Sequence, residues 1–370
     1  MSGAYQWPLP KSVADLVPLM MREAVLCDNP LKVSVGDLEL VIRSNSRHLL
    51  ERLADYFSHL VDRPTTEQME IIAIDHEVLD GHLPFKDWRR EPGKKGRKDA
   101  YLDLPDGRLV LKVRTGMLFL QSESHRIAAG PCLANDNQLI NFINSQVMNR
   151  LQHRDWLICH AAGLRLGTST VAIAGFSGNG KSTLMLHLME HPKSCYLTND
   201  RLFLRAGDGM VEAVGIPKLP RINPGTVINN PRLAQLIPQQ RQNELHKLPR
   251  QALWDLEEKY DVDVARLYGP QRIDTSTPVT LDGLLILNWS LTAEKPVTLK
   301  PVDLSERRDL LPALMKSPGP FYQYRSGRFL RDDDPLPEAA YLHLLKDVEV
   351  FEVTGRMDFA QLREICFKQW

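Results

Sequence analysis

The chain has 370 residues, 43% apolar and 25% charged, an ordinary globular composition with length for two or three packed cores. Basic and acidic residues number 46 each, so no global charge draws the protein to nucleic acid or to an anionic membrane. The five cysteines (Cys27, Cys132, Cys159, Cys195, Cys366) are scattered, odd in number and include no C-x-x-C pair, which argues against a zinc ribbon and a disulfide framework and fits a reducing compartment.

No apolar stretch approaches the roughly eighteen residues needed to span a bilayer. The first twenty-one residues, broken by prolines, Lys11 and Asp15, make a poor signal peptide, and the expected location is the cytoplasm. Residues 11 to 26 allow a short helix of mixed pattern. Leu31 to Ile42 reads as a hairpin turning at Gly36-Asp37. Ser46 can cap a helix to Leu60 whose Leu49, Leu50, Leu53, Phe57 and Leu60 share one face. Met69 to Ile74 is a strand. From Phe85 to Ala100 the pattern fails in a basic run with Lys86, Arg89, Arg90, Lys94, Lys95, Arg97 and Lys98. Such a run is a solvated loop or, less often, a surface that meets phosphate or an acidic partner. Strands follow at Arg108 to Arg114 and Met117 to Gln121. Asn135 or Asp136 then caps a helix to about Leu151. The first 128 residues read as a small α+β module, followed by a nucleotide-binding part from 129 to 370.

Residues 155 to 200 carry the chemistry. Trp156 to Cys159 is a short strand ending at His160. Leu164 to Leu166 pairs back after Gly163, and a turn at Gly167 leads into the buried strand Val171 to Ala174. Gly175-Phe-Ser-Gly-Asn-Gly-Lys-Ser182 fits the phosphate-loop pattern G-x-x-x-x-G-K-[ST], and a helix runs on through Met189. Average residue frequencies put the bare pattern in roughly one chain in a hundred of this length. Each residue type has a reason. Gly175, Gly178 and Gly180, with Ser177 and Asn179 between them, let backbone N–H groups curl around phosphate oxygens. The first turn, Lys181, Ser182 and Thr183, points the helix's positive end at the same anion. Lys181 brings a mobile charge, and the Ser182 hydroxyl suits Mg²⁺.

Cys195 to Thr198 is the next strand, running into Asn199-Asp200. A strand, a crossover helix and a second strand place Asp200 at the carboxyl edge of the sheet beside the loop, where a carboxylate can hold Mg²⁺ or accept a proton. The plainer readings are a turn residue for Asp200 and a hydrogen-bonded core edge for His160. Lys218 and Arg221 can present cations to phosphate or substrate. Arg250, Arg266 and Arg272 are candidates for a charge-stabilising arginine, in a stretch from 231 to 275 with few core signals. Leu281 to Asn288 is a buried strand ending in Asn288-Trp289 with no acid, and Asp282 stands at its wrong end. Val348 to Val353 is a late strand, and Asp358 caps a closing helix.

His160-Ala-Ala-Gly, GFSGNGKST and Leu-Thr-Asn199-Asp200 together resemble the catalytic domain of the HPr kinase/phosphorylase family, most closely its group called HPr kinase-related kinase B. The clear match covers about residues 155 to 205. The resemblance implies an α/β phosphate-loop kinase domain like the HPr kinase C-terminal domain. It makes Gly175 to Thr183 the ATP phosphate cradle and Ser182 and Asp200 the Mg²⁺ contacts, and it places His160 near the attacking hydroxyl. The implied activity is ATP- and Mg²⁺-dependent transfer to a hydroxyl, a serine of a partner protein, with Asp200, assisted by His160, handling the hydroxyl proton. Such relatives occur beside an ATP-grasp-type protein, and HPr kinases form hexamers, so a homo-oligomer is also implied. Two departures matter. The family's acidic pair is Asn199-Asp200 here, and its Leu-Glu-Ile-Arg-Gly segment is replaced by Leu219-Pro-Arg-Ile-Asn-Pro-Gly225, which offers no glutamate. A kinase for a small metabolite such as a free amino acid, and a nucleotide-binding regulator with little transfer, are the alternatives.

Overall fold

The computed structural model describes residues 7–79, 82–90, 96–176, 178–249, 252–253, 256, 258–290 and 292–370. The chain forms two compact units, one of residues 1–154 with 317–335, the other of 155–316 with 336–370. Among the described residues no helix is long and apolar enough to cross a membrane.

The first unit is a mixed eight-stranded sheet with helices. Its strands are β1 (Leu31–Val35), β2 (Leu38–Ser44), β3 (Glu67–Asp75), β4 (Lys86–Asp87), β5 (Asp99–Leu104), β6 (Gly107–Lys112), β7 (Met117–Ser122) and β8 (Arg126–Gly130). They lie in the order β1-β2-β3-β8-β7-β6-β5-β4, with β2, β3 and β8 parallel and the other neighbours antiparallel. Helix α1 (Val13–Met21) buries Leu16 and Met20 against Leu109, Leu120 and Ile127. Helix α2 (Arg47–Phe57) starts where Ser46 Oγ accepts from the Leu49 N–H and buries the expected Leu49, Leu50, Leu53 and Phe57. The basic stretch brackets the β4–β5 pair, with Arg97 ion-paired to Asp87. Pro92, Gly93, Lys94 and Lys95 lie outside the described residues.

Helix α3 (Asp136–Gln152) belongs to this unit, so the division falls after Arg154 and not near residue 128. The reason is packing. Phe142 meets Phe119 of β7 at 4.9 Å between ring centres, and Gln146 Nε2 donates to Gln121 Oε1 at 2.8 Å. The returning residues 317–335 are tied in by Phe321 against both rings, and by the fully buried Arg108, which donates to the carbonyls of Pro320 and Leu330.

The second unit has a six-stranded mixed sheet of β10 (Ala161–Leu166), β11 (Ser169–Gly175), β12 (Ser194–Thr198), β18 (Gly283–Leu287), β19 (Thr298–Pro301) and β20 (Glu349–Thr354), which lie in the order β12-β10-β11-β18-β20-β19. A separate ribbon pairs β15 (Arg221–Ile222) with β16 (Tyr260–Asp261). The β11, β18 and β20 strands run parallel, and β10 is antiparallel to both β11 and β12. The unbroken apolar runs of β11 and β18 suit strands buried on both faces. A four-stranded antiparallel sheet, β17 (Val279–Thr280), β14 (Val211–Val214), β13 (Leu202–Ala206) and β9 (Leu157–Cys159), shares a core with one face of it. Ala172, Ala174, Leu284 and Ile286 of the larger sheet cluster there with Leu202, Leu204, Val211 and Ala213. Helix α4 (Lys181–Met189) packs on β10, β11 and β12 and against the final helix, Phe359–Gln369.

Candidate active site at the carboxyl edge of the second sheet

Strand β11 ends at Gly175 and α4 starts at Lys181, which is the expected strand–loop–helix order. Gly178 and Gly180 have φ of 86° and 82°, the left-handed region that L side chains avoid. A Cβ on Gly180 would also stand 2.4 Å from Phe359 Cζ, so the loop passes where only glycine fits. Ser177 lies outside the described residues. Asn179 N–H donates to Phe176 O at 3.1 Å, closing a turn. Lys181 is buried and its Nζ donates to Gly175 O at 2.8 Å, so the ammonium spans the loop. Ser182 and Thr183 sit in the first helical turn, where backbone N–H groups have no acceptor within the helix. The Thr183 hydroxyl meets Thr226 Oγ1 at 2.8 Å and is thereby tied to the short helix Pro224–Ile228.

Asp200 follows β12 at the same edge, but β12 is not the neighbour of β11. The antiparallel β10 lies between them, which separates the two parallel strands by about 10 Å. His160 fills the gap. It sits between β9 in the smaller sheet and β10 in the larger, held by its own N–H to Leu314 O at 2.7 Å. The expected pairing of Leu164 to Leu166 backward is therefore a hairpin forward with β11. The amino end of β10 and the carboxyl end of β12 coincide, and His160 Nε2 lies 3.2 Å from Asp200 Oδ1. The second oxygen, Oδ2, is 2.5 Å from Arg201 Nη1, a partner that the motif does not announce.

Burial pushes His160 below its ordinary value, the Asp200 hydrogen bond and charge oppose this, and Lys181 and Lys316 add to it. The imidazole is therefore neutral at neutral pH. With Nε2–H directed at the carboxylate, its lone pair is on Nδ1. Desolvation works against the Asp200 charge. Arg201, the His160 hydrogen bond and Lys218 outweigh it and hold the carboxyl far below the usual range. Both carboxylate oxygens are thus engaged, Oδ1 by His160 and Oδ2 by Arg201.

Lys218 comes close because Gly215 does. A Cβ there would lie 2.0 Å from Leu197 O, and only glycine lets this segment run against the end of β12. Tyr196 Oη donates to Lys218 O at 2.6 Å. Arg221, expected as a second cation, is paired with Asp261 at 2.8 Å. Of the arginine candidates, Arg250 lies outside the described residues and Arg266 is exposed. Arg272 serves the wrong end of α4. Its guanidinium donates to the carbonyls of Met189, His191 and Ser194, about 13 Å along the helix from the loop.

Do these residues suit Mg²⁺? Among the described residues no group of three or more His, Cys, Asp or Glu gathers as a metal cluster. Mg²⁺ at a nucleotide needs less: one or two protein oxygens, with phosphate oxygens and several waters. Thr198 Oγ1 and Asn199 Oδ1, just before Asp200, are buried oxygens without a hydrogen-bond partner. Water in a hydrated metal shell supplies the donors they lack, so the donor set fits. Asp200 and Ser182 would hold the ion, with Arg201 giving way at Oδ2.

No protein-family profile and no curated protein matches the chain. Among solved structures it is similar to the HPr(Ser) kinase/phosphatase from Coxiella burnetii. That alignment has 11% identity and a TM-score of 0.29, covering 57% of this chain and 91% of the other.

Proposed function

We propose that this chain is an ATP- and Mg²⁺-dependent phosphotransferase that phosphorylates a hydroxyl, a serine on a partner protein. The observation that carries the reading is the His160–Asp200 pair at the same sheet edge as the glycine loop and Lys181. The loop and the first turn of α4 would take the triphosphate, and Lys181 would leave Gly175 O to meet its terminal phosphates. Bound Mg²⁺ supplies neutralisation of the charge that develops on the transferred group.

The geometry favours a division of labour in which His160 Nδ1 accepts the hydroxyl proton. Asp200 fixes the tautomer and stabilises the imidazolium that results. Burial, with Lys181 and Lys316 adding to it, disfavours a charged His160 and keeps it in its basic form between turnovers. The sequence resemblance to HPr kinases supports the same chemistry. A second reading, a nucleotide-binding regulator, is favoured by one observation: both Asp200 oxygens are engaged, by His160 and by Arg201.

Incubating the full chain with γ-labelled ATP, Mg²⁺ and a cell protein extract separates the two. A phosphoserine product that disappears with Lys181→Ala supports the kinase. ATP binding with no phosphorylated product in protein or free serine supports the regulator.

A further inference from the structure

If the terminal phosphate faces His160 and Asp200, the nucleoside must leave the loop on the other side. In the order β12-β10-β11-β18-β20, the acid–imidazole pair lies on the β12/β10 side of β11. The opposite neighbour is β18, and its end is Asn288-Trp289. Asn288 is still held to β20, through its N–H to Val353 O and its side chain to Glu352 Oε1 at 2.7 Å. That fixes where Trp289 begins. The indole N–H donates to Asn179 O at 2.8 Å, and Asn179 Nδ2 returns a bond to Leu287 O at 2.9 Å. Two hydrogen bonds thus lock the loop's fifth residue to the end of β18. The Trp289 ring is partly exposed and meets the edge of Phe359 at 6.4 Å and 83°. Phe359 in turn closes over Gly180 and stacks on His187. An aromatic wall therefore stands beside the loop, on the side away from the acid–imidazole pair.

We propose that Trp289 binds the base of a nucleoside triphosphate by stacking, and that its N–H presets the loop for the phosphates. The proposal rests on the nucleotide reading above and adds to it the residue that takes the base. Any nucleobase offers a π-face, and stacking on an aromatic side chain strengthens binding by roughly ten- to a hundredfold per base. Phosphate alone gains nothing from the ring.

The test measures dissociation constants of ATP and of inorganic tripolyphosphate, each with Mg²⁺, on the full chain by titration calorimetry. Wild type should bind ATP at least tenfold more tightly than tripolyphosphate. W289F and W289L both lose the N–H and should bind tripolyphosphate equally, a few-fold more weakly than wild type. They differ in the ring, so W289L should bind ATP about tenfold more weakly than W289F. Equal ATP affinities for the two variants overturn the proposal. So does a wild type that binds ATP and tripolyphosphate alike, a comparison that needs no variant to fold. A wild type that binds neither overturns the nucleotide reading itself, which is a different result.

Discussion

Replacing Asp200 with Asn keeps the shape of the carboxylate and removes its charge. In the native pair, Oδ1 accepts from His160 Nε2 at 3.2 Å and keeps the imidazole lone pair on Nδ1. An amide can turn its NH₂ toward the ring and select the wrong tautomer. A positioned general base contributes about 10²–10⁴ in rate, or about 2.7–5.4 kcal/mol at about 1.36 kcal/mol per decade. Loss of its orienting acid should remove about two to three decades of that from kcat. The pH profile adds a signature. The two influences that raise the His160 pKa both come from Asp200, while burial, Lys181 and Lys316 lower it. In Asp200→Asn only the lowering influences remain, so the acid limb of kcat should move to lower pH even as the plateau falls. Single-turnover transfer from γ-labelled ATP, followed from about pH 5 to about pH 8, reads both quantities, and thermal unfolding checks the fold. An unchanged plateau, or a limb displaced to higher pH, would refute the assigned roles.

Three further outcomes follow. Gly180→Ala places a methyl 2.4 Å from Phe359 Cζ at a φ of 82° and should destabilise the fold by about 1–3 kcal/mol in denaturant titrations, with weakened ATP binding. Arg272→Leu strips a cation from the carbonyls at the far end of α4. It should cost about 2 kcal/mol of stability, and kcat per folded molecule should stay near wild type. Acid should weaken the fold through His160. Its pKa is lower folded than unfolded, so below about pH 6.5 the unfolded chain binds more protons and stability is lost as pH falls toward the folded value. His160→Gln should flatten that part of the curve in urea titrations across the window.

Local chemistry was the legible part of the sequence. The loop, its flanking strand and α4 are written in consecutive residues, and so are the Ser46 and Asp358 caps, which accept from Leu49 and Gln361 N–H groups as their spacing implies. Pairings made across the chain were not legible. Nothing in the run from Asn135 to Leu151 says that Phe142 and Gln146 find Phe119 and Gln121, which moves the division of units to residue 154. The approach of His160 to Asp200 depends on an antiparallel strand inserted between two parallel ones, whereas a simple crossover motif would make those two neighbours. Arg201, Arg272 and Trp289 are ordinary residues by composition. Arg201 pairs with the adjacent Asp200, while the partners of Arg272 and Trp289, the carbonyls of Met189, His191 and Ser194 and that of Asn179, come from elsewhere in the fold.

The most direct measurement is equilibrium binding of ATP with Mg²⁺ to the full chain, beside Lys181→Ala. A triphosphate seated at the start of α4 predicts saturable one-site binding to wild type that Lys181→Ala weakens at least tenfold, about 1.4 kcal/mol. No saturable binding, or equal affinity in the two proteins, would contradict the account.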